Sequence, residues 1–574
     1  MNKYKRLLTN TIVFAIGTFA SKLLVLLLTP LYTSILSPDQ YSIADLVMQT
    51  SNLLIPIFTV SIANAVMRFG MDKAEDKASV FTTGFTTISL GFAALLVCSP
   101  ALLLLSGGIN DYIPIILAYV LASGMHSLCL QFVRSQGHVK LFAFDGILNT
   151  MLTIALNIMF LVLFKMHITG YLMSTVLSDA LCTLFLFVVC RLWRFLKAKS
   201  VDRDLAKRML RYSIPLIPTT ILWWVTNVFD RYMVKYILGD FENGLYVVAY
   251  KIPTILVLVS MVFADAWQMS AVSEDRRTRC DFFGKVFYSF QSVIFIGASG
   301  LIMLSQTAMH LLTYANPAYF EGWRYMPILI TATAFNCIVT FQSTVYIVEK
   351  KSVNSMWTSM VGAVLNIVLN AVLIPTVGVN GAALATFASY FVIFWLRYFN
   401  TRRFIPFDTH LPRVCFNTFV LAVQCAVILL QVEHWLLYEI GMVLVVAGFN
   451  FKPLILSVKR ILGKDKCGAV KKDRYARSKA LRFGTGAAED GVTADGAGQY
   501  VISDEAAESP DREPQRPGED TGDSPAAETP AQPKAVKTEK ASTDNKTDNN
   551  KGESRKNRYE QSIRLYNERK NKGR

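Results

Sequence analysis

Apolar residues in this chain are grouped rather than alternating, in blocks of about 20 set off by short polar runs. The blocks of spanning length are 11–35, 42–65, 80–105, 113–134, 142–164, 168–190, 213–238, 244–268, 283–305, 325–348, 355–376, 379–399, 413–432 and 435–457. About 20 apolar residues, at roughly 1.5 Å of rise each, cross the ~30 Å hydrocarbon core of a bilayer. The pattern therefore predicts an all-α polytopic membrane protein with about 14 transmembrane helices. The first block follows Lys3, Lys5 and Arg6, as in a signal peptide, but it is too long and has no cleavage-like site, so it reads as a span.

The polar runs orient the spans. Basic residues crowd the N-terminal head and every second loop, as in Arg134 and Lys140, Arg191 to Arg211, Arg276 to Lys285, and Lys350 and Lys351, whereas the alternate loops offer Lys165 and Arg324. Basic loops stay on the cytoplasmic side, so both termini are expected there. The opposite loops are short, the longest being 310–323, too short for an external catalytic domain.

The longest basic loop, 191–212, divides the first twelve spans into two sixes that read as related. I-L-S-P-D-Q-Y-S-I (35–43) corresponds to I-L-G-D-F-E-N-G-L (237–245), G-Y-L-M-S-T-V-L-S-D (170–179) to G-A-A-L-A-T-F-A-S-Y (381–390), and A-L-N-I (155–158) to V-L-N-I (364–367). Six spans per copy leave both copies in the same orientation, and two parallel bundles with a site between them is what such a duplication builds. The expected organisation is a six-helix bundle over 1–190, a linker over 191–212, a second six-helix bundle over 213–400, two additional helices over 401–463 and a tail over 464–574. That tail is rich in Gly, Ala, Pro, Asp, Glu, Lys and Asn, basic at both ends and acidic between, and cannot bury enough apolar surface to fold. It is expected to be a disordered cytoplasmic segment that touches anionic headgroups or polysaccharide-assembly proteins.

Composition agrees with the pattern. Of 574 residues 52% are hydrophobic and the mean hydropathy is +0.36. The net charge of +16 could suggest a nucleic-acid partner, but the basic residues sit where topology explains them, and none is expected. The nine cysteines form no C-x-x-C pair, so neither a disulfide frame nor a zinc site is expected. The phosphate-loop lookalike G-T-F-A-S-K (17–22) lacks the second glycine before its lysine, and no ATP site or other cofactor is expected.

Ionisable residues inside the spans stand out against this background, since one near the bilayer centre costs about 2.5–3.5 kcal/mol even on the lenient insertion scale. They are Lys22, Asp45, Asp179, Asp230, Arg231, Lys251 and Asp265, with Arg68 and Lys235 nearer the ends. Lys22, Arg231 and Lys251 come from the openings of both halves and are candidates for a cationic cavity that receives phosphate, structural pairing being the competing reading. Arg68 serves equally as an orienting anchor, Lys235 is placed to snorkel, and Asp230 to neutralise a basic neighbour. Asp45, Asp179 and Asp265 are candidates for binding a coupling ion. Pro30, Pro56, Pro215, Pro218, Pro253, Pro327 and Pro375, in or at the ends of spans, mark helices that can bend.

Several of these residues lie in recognisable motifs: G-T-F-A-S-K-L-L (17–24), T-P-L-Y-T (29–33), L-S-P-D-Q-Y (36–41), A-V-M-R-F (65–69), I-P-L-I-P (214–218), W-W-V-T-N-V-F-D-R-Y (223–232), V-A-Y-K-I-P (248–253), A-W-Q-M-S-A (266–271) and N-G-A-A-L-A-T (380–386). Together, over about residues 1–400, they resemble bacterial polysaccharide-biosynthesis flippases of the multidrug/oligosaccharidyl-lipid/polysaccharide exporter superfamily. The resemblance implies two six-helix bundles around a V-shaped cavity, two peripheral helices, and translocation of an undecaprenyl-pyrophosphate-linked oligosaccharide to the outer leaflet of the bacterial cytoplasmic membrane, without enzymatic chemistry. It carries Lys22, Arg68, Arg231 and Lys251 over as substrate contacts, with Asp230 orienting Arg231. The alternatives are a peptidoglycan lipid-precursor flippase, a drug or cation antiporter of the same superfamily, and a membrane glycan polymerase or ligase. The last would need acid/base groups on an outer loop or soluble domain, and the short outer loops show none.

Overall fold

The computed structural model describes Leu24 and residues 26–72, 74–104, 108–197 and 202–461. Lys22, most of the first expected span and the tail from 464 lie outside them. Among the described residues the chain is helical, without a strand. Its α-helices are α1 (Thr29–Ile35), α2 (Pro38–Phe58), α3 (Ile62–Met71), α4 (Lys77–Cys98), α5 (Ile113–Ser135), α6 (Val139–Asn157), α7 (His167–Val189), α8 (Arg203–Ser213) and α9 (Leu216–Leu238). They continue with α10 (Asp240–Ala249), α11 (Thr254–Ser273), α12 (Arg279–Met303), α13 (Ser305–Thr313), α14 (Met326–Val348), α15 (Ser352–Val377), α16 (Val379–Thr401), α17 (Leu411–Leu429) and α18 (Trp435–Ile461).

Nine of the expected spans appear as single helices long and apolar enough to cross a membrane. Two more, 42–65 and 244–268, are bent pairs: α2 and α3 meet at 52°, α10 and α11 at 44°. Both are the second expected span of their half. The first break has a local cause. Pro56 lies in the last turn of α2, and Val60 and Ser61 follow with φ of 53° and 49°, a left-handed conformation that is strained for a β-branched residue. The second falls in K-I-P, where Pro253 precedes α11. Of the remaining stretches, α9 is a 23-residue helix carrying Asp230, Arg231 and Lys235, and 435–451 forms a shorter apolar helix.

Large apolar side chains face outward along these helices: Leu90, Val97, Met151, Trp223, Val368 and Phe419 are each more than half exposed. Such a belt suits contact with lipid. The motif L-S-P-D-Q-Y starts α2 as a capping box. Ser37 Oγ accepts the Gln40 N–H at 3.3 Å, Gln40 Oε1 accepts the Ser37 N–H at 3.1 Å, and Pro38 occupies the first turn, where no N–H is needed.

The basic loops lie at one face of the molecule and the short loops after α1, α9 and α13 at the other. Toward the short-loop face the two halves share one core, in which Leu36, Tyr41, Leu46, Ile116 and Leu172 join Val234, Leu245, Tyr246 and Tyr319. Toward the basic face the first half has a core of its own, with Ile62, Val66, Phe81, Phe132, Leu186 and the linker residues Leu205 and Met209. The halves therefore meet by packing α2 against α9 and α10 near the short-loop face. A Cβ on Gly244 of α10 would lie 2.1 Å from the Pro38 carbonyl oxygen, so only glycine allows this approach.

Candidate functional site

Buried charge collects on that seam. Asp45 lies two turns into α2 and Arg231 two turns before the end of α9, and Arg231 Nη1 donates to Asp45 Oδ2 at 2.6 Å with both side chains nearly buried. The guanidinium lies over the Tyr250 ring at 5.3 Å. Lys251, in the break between α10 and α11, places Nζ 5.7 Å from the Tyr41 ring centre, and among the described residues no carboxylate lies within ion-pair distance of it. Two cations thus flank one carboxylate, each also facing an aromatic ring.

Asp230 is fully buried next to them, with a different set of partners. Its Oδ1 accepts the Arg231 backbone N–H at 2.9 Å, and its Oδ2 accepts the Tyr246 hydroxyl at 2.6 Å and the Thr386 hydroxyl at 3.3 Å. Thr386 in turn accepts from Asn366, which accepts from Asn370. Asp230 therefore touches the backbone of Arg231, while the guanidinium goes to Asp45 across the seam. The sequence reading gave Asp230 the orienting part, and the physical reason for the difference is that adjacent helical residues point about 100° apart, whereas the facing helix brings Asp45 directly opposite.

Further contacts close the same face. Lys235 Nζ reaches Asp240 at 2.8 Å instead of snorkelling, since the start of α10 offers a carboxylate nearer than the headgroups. Ser42 Oγ donates to Asp240 Oδ1 at 2.8 Å and accepts from Asn243 at 2.9 Å. Thr50 and Tyr232 hydroxyls are 2.8 Å apart, Thr33 donates to the Leu312 carbonyl at 2.7 Å, and Tyr319 to the Leu36 carbonyl at 2.9 Å. The bonds of Ser42 to Asp240 and Asn243 join the segments 35–43 and 237–245, matched in the sequence, to each other.

The other expected site residues lie elsewhere. Arg68, at the basic end of α3, stacks on Tyr212 at 4.8 Å and is not part of the seam cluster. Lys22 and the side chain of Asp265 lie outside the described residues. Asp179, on α7, belongs to a second cluster that the sequence reading missed in part. His126 Nε2 lies 2.8 Å from Asp145 Oδ2, and His126 Nδ1 lies 3.5 Å from Asp179 Oδ1. Asp179 also accepts from Ser123 and, at 2.8 Å, from Asn149. The signal for His126 and Asp145 was available: both are ionisable residues inside expected spans, His126 in the middle of 113–134 and Asp145 one turn into 142–164. The thiol of Cys182, the ring of His126 and the carboxylate of Asp145 fall within 4.8 Å of one another. A metal bonded to both the ring nitrogen and the carboxylate would hold those atoms roughly 3.3 Å apart, so the 2.8 Å contact is a hydrogen bond.

Comparison with known proteins follows the same lines. Residues 7–267 match the family model described as polysaccharide biosynthesis protein. Among solved structures, the lipid II flippase MurJ in its inward closed conformation is similar with a TM-score of 0.59 and 16% identity, over 79% of this chain and 99% of that one. An inward-facing multidrug resistance MATE family transporter of the MOP superfamily gives 0.52 and 14% identity, over 69% and 95%. A MOP superfamily transporter from Pyrococcus furiosus Vc1 (DSM3638), described as having a binding pocket of reverse polarity, gives 0.51 and 15%, over 68% and 95%. No curated protein sequence matches. At these identities the likeness is one of fold, that of a multi-pass membrane transporter.

Proposed function

We propose that this chain, whose residues 7–267 match the family model described as polysaccharide biosynthesis protein, is a flippase moving an undecaprenyl-pyrophosphate-linked oligosaccharide from the inner to the outer leaflet of the bacterial cytoplasmic membrane. Both termini then lie in the cytoplasm, as the basic loops require. The observation that carries the reading is the buried trio Asp45, Arg231 and Lys251 on the seam between the halves. It holds cations where the halves must part, and among the described residues one of them, Lys251, has no carboxylate within ion-pair distance.

The mechanism follows from competition for Arg231. With the seam closed toward the short-loop face, the halves have separate cores toward the basic face, and the substrate enters from there. Its pyrophosphate is drawn to Lys251 and offers Arg231 a second, more highly charged acceptor than Asp45. Transfer of the guanidinium from carboxylate to phosphate loosens the seam, and the halves part toward the outer face while the lipid tail stays in the bilayer. Arg68, near the basic face, is placed to meet the headgroup first. No step is enzymatic, and any driving force is an ion gradient or consumption of the product.

A peptidoglycan lipid precursor is the rival substrate, favoured by the fold shared with a lipid II flippase over most of both chains. Both lipids carry the same pyrophosphate, so the test must identify the lipid. With Arg231→Ala or Lys251→Ala as the only copy, lipid-linked surface-glycan repeats accumulate in the inner leaflet and surface glycan falls. Accumulation of the peptidoglycan precursor instead supports the rival. Normal surface glycan at normal expression of both variants overturns the assignment of the site.

A further inference from the structure

We propose that His126, clamped between Asp145 and Asp179 inside the first half, is a proton-binding site, and that its proton is the ion exchanged as the halves move. The role rests on the alternating-access reading above; the occupancy of the site does not.

The geometry argues for the proton directly. Both ring nitrogens of His126 face carboxylate oxygens, Asp145 Oδ2 at 2.8 Å and Asp179 Oδ1 at 3.5 Å. An ionised carboxylate only accepts hydrogen bonds, whereas a neutral imidazole has one donor nitrogen. Two carboxylates on two nitrogens therefore call for an imidazolium, or for the same proton on one of the acids.

The surroundings make the proton hard to lose while this arrangement holds. Asp179 has other donors in Ser123 and Asn149. Asp145 is fully buried, with His126 as its hydrogen-bond partner and its Oδ1 unpartnered. Removing the proton leaves two carboxylates and a neutral ring, a doubly negative group out of water. The groups facing His126 do not offset this. They are Tyr119 and Cys129 on α5, Asp145 on α6, and Asp179 and Cys182 on α7. α2 meets the same side of α5 with the amide of Asn52, Arg68 of α3 is turned to Tyr212, and α4 carries Lys77 at its basic-face end. Among the described residues, no Lys or Arg forms an ion pair with Asp145 or Asp179.

A route to the seam exists in the packing. Tyr119, Ser123 and His126 lie on one face of α5. The Tyr119 hydroxyl donates to Asn52 Oδ1 at 3.3 Å. Asn52, Gln49 and Asp45 lie on one face of α2, with the Gln49 amide reaching Asp45 at 3.4 Å, and Asp45 holds Arg231. α2 is thus the element that both clusters bias. A seam opening that tilts α2 and draws α5, α6 and α7 apart admits water to the trio and lets the proton leave.

The test uses the full-length protein in liposomes with ¹⁵N-labelled histidine, of which there are six. The His126 signal is identified by its loss in His126→Gln. At pH 8 His126 is expected to show the doubly protonated signature, which Asp145→Asn and Asp179→Asn convert to the neutral one. A neutral His126 in the wild-type protein at pH 8 overturns the site, and this arm needs no variant to fold beyond the one used for assignment. Pulsed electron resonance between labels at Lys140 and Ser352, at the basic ends of the two halves, gives the second arm. The distance distribution is expected to shift across the pH range where His126 loses its proton, and to become independent of pH in Asp145→Asn. Titration of His126 with no such shift overturns the coupling. Neither arm uses substrate, so a proton site that stands while Arg231→Ala leaves surface glycan normal separates the two readings.

Discussion

The two halves hold their buried charge in different places. The first half keeps His126, Asp145 and Asp179 within itself, on three helices that pack on one another. At the matched position after Ser389, where the first half has Asp179, the second half has Tyr390, which donates to Asn227. Its interior carries the amides Asn366 and Asn370 and the buried Arg397, which donates to the Val339 carbonyl and to Thr358 and Ser359, while its cations Arg231 and Lys235 go to the seam. The two expected halves thus differ in where their buried acids find partners. The His126 cluster is held by helices of one half, whereas the Arg231–Asp45 ion pair is exposed directly to any motion of one half against the other.

This contrast can be broken experimentally, most forcefully at the seam. Arg231→Ala leaves Asp45 as an uncompensated buried charge, and Asp45→Ala does the same to Arg231, so each should lower stability by about 3–5 kcal/mol. The double variant should lose less than the sum of the two, which thermal unfolding in detergent would measure. Additive losses would mean the pair is not coupled. Inside the first half, Asp179→Ala deprives His126, Ser123 and Asn149 of an acceptor and should cost on the order of 1–3 kcal/mol. Because α2 is the element that links this cluster to the seam, its protection from hydrogen exchange should fall with Asp179→Ala, and protection equal to the wild type would mean that the two clusters are not coupled.

Smaller changes sharpen the comparison. Gly244→Ala pushes α10 off Pro38 and should cost roughly 1–3 kcal/mol, while Gly441→Ala, with open space around it, should cost nothing measurable. Relative melting temperatures of the two variants decide this. Ser37→Ala removes the capping box of α2 and should cost about 1 kcal/mol. Its effect should appear as faster exchange of the amides at the start of α2, with α5 to α7 unchanged.

Much of the fold was legible in advance because the membrane imposes it. Spans and breaks follow from local rules: Pro56 and Pro253 marked the bent spans, whereas the capping box of Ser37 and Gln40, which starts α2 before the expected 42, was not read. The candidate site was legible as a set of residues, Asp45, Asp230, Arg231 and Lys251, but not as a set of partners. Asp230 is next to Arg231 in the chain yet touches its backbone, and Asp45, 186 residues away, takes its guanidinium. Arg68 shares a charge with these residues but lies toward the opposite face, against Tyr212.

By itself, then, the sequence determined a helical multi-pass membrane protein and which side chains must find partners, because burying polar groups in hydrocarbon is costly wherever they fall. Only the tertiary structure decided who those partners are. Facing helices from distant parts of the chain bring Arg231 to Asp45 and His126 between Asp145 and Asp179, and the energy of each contact depends on separations of a few ångströms that no local pattern specifies.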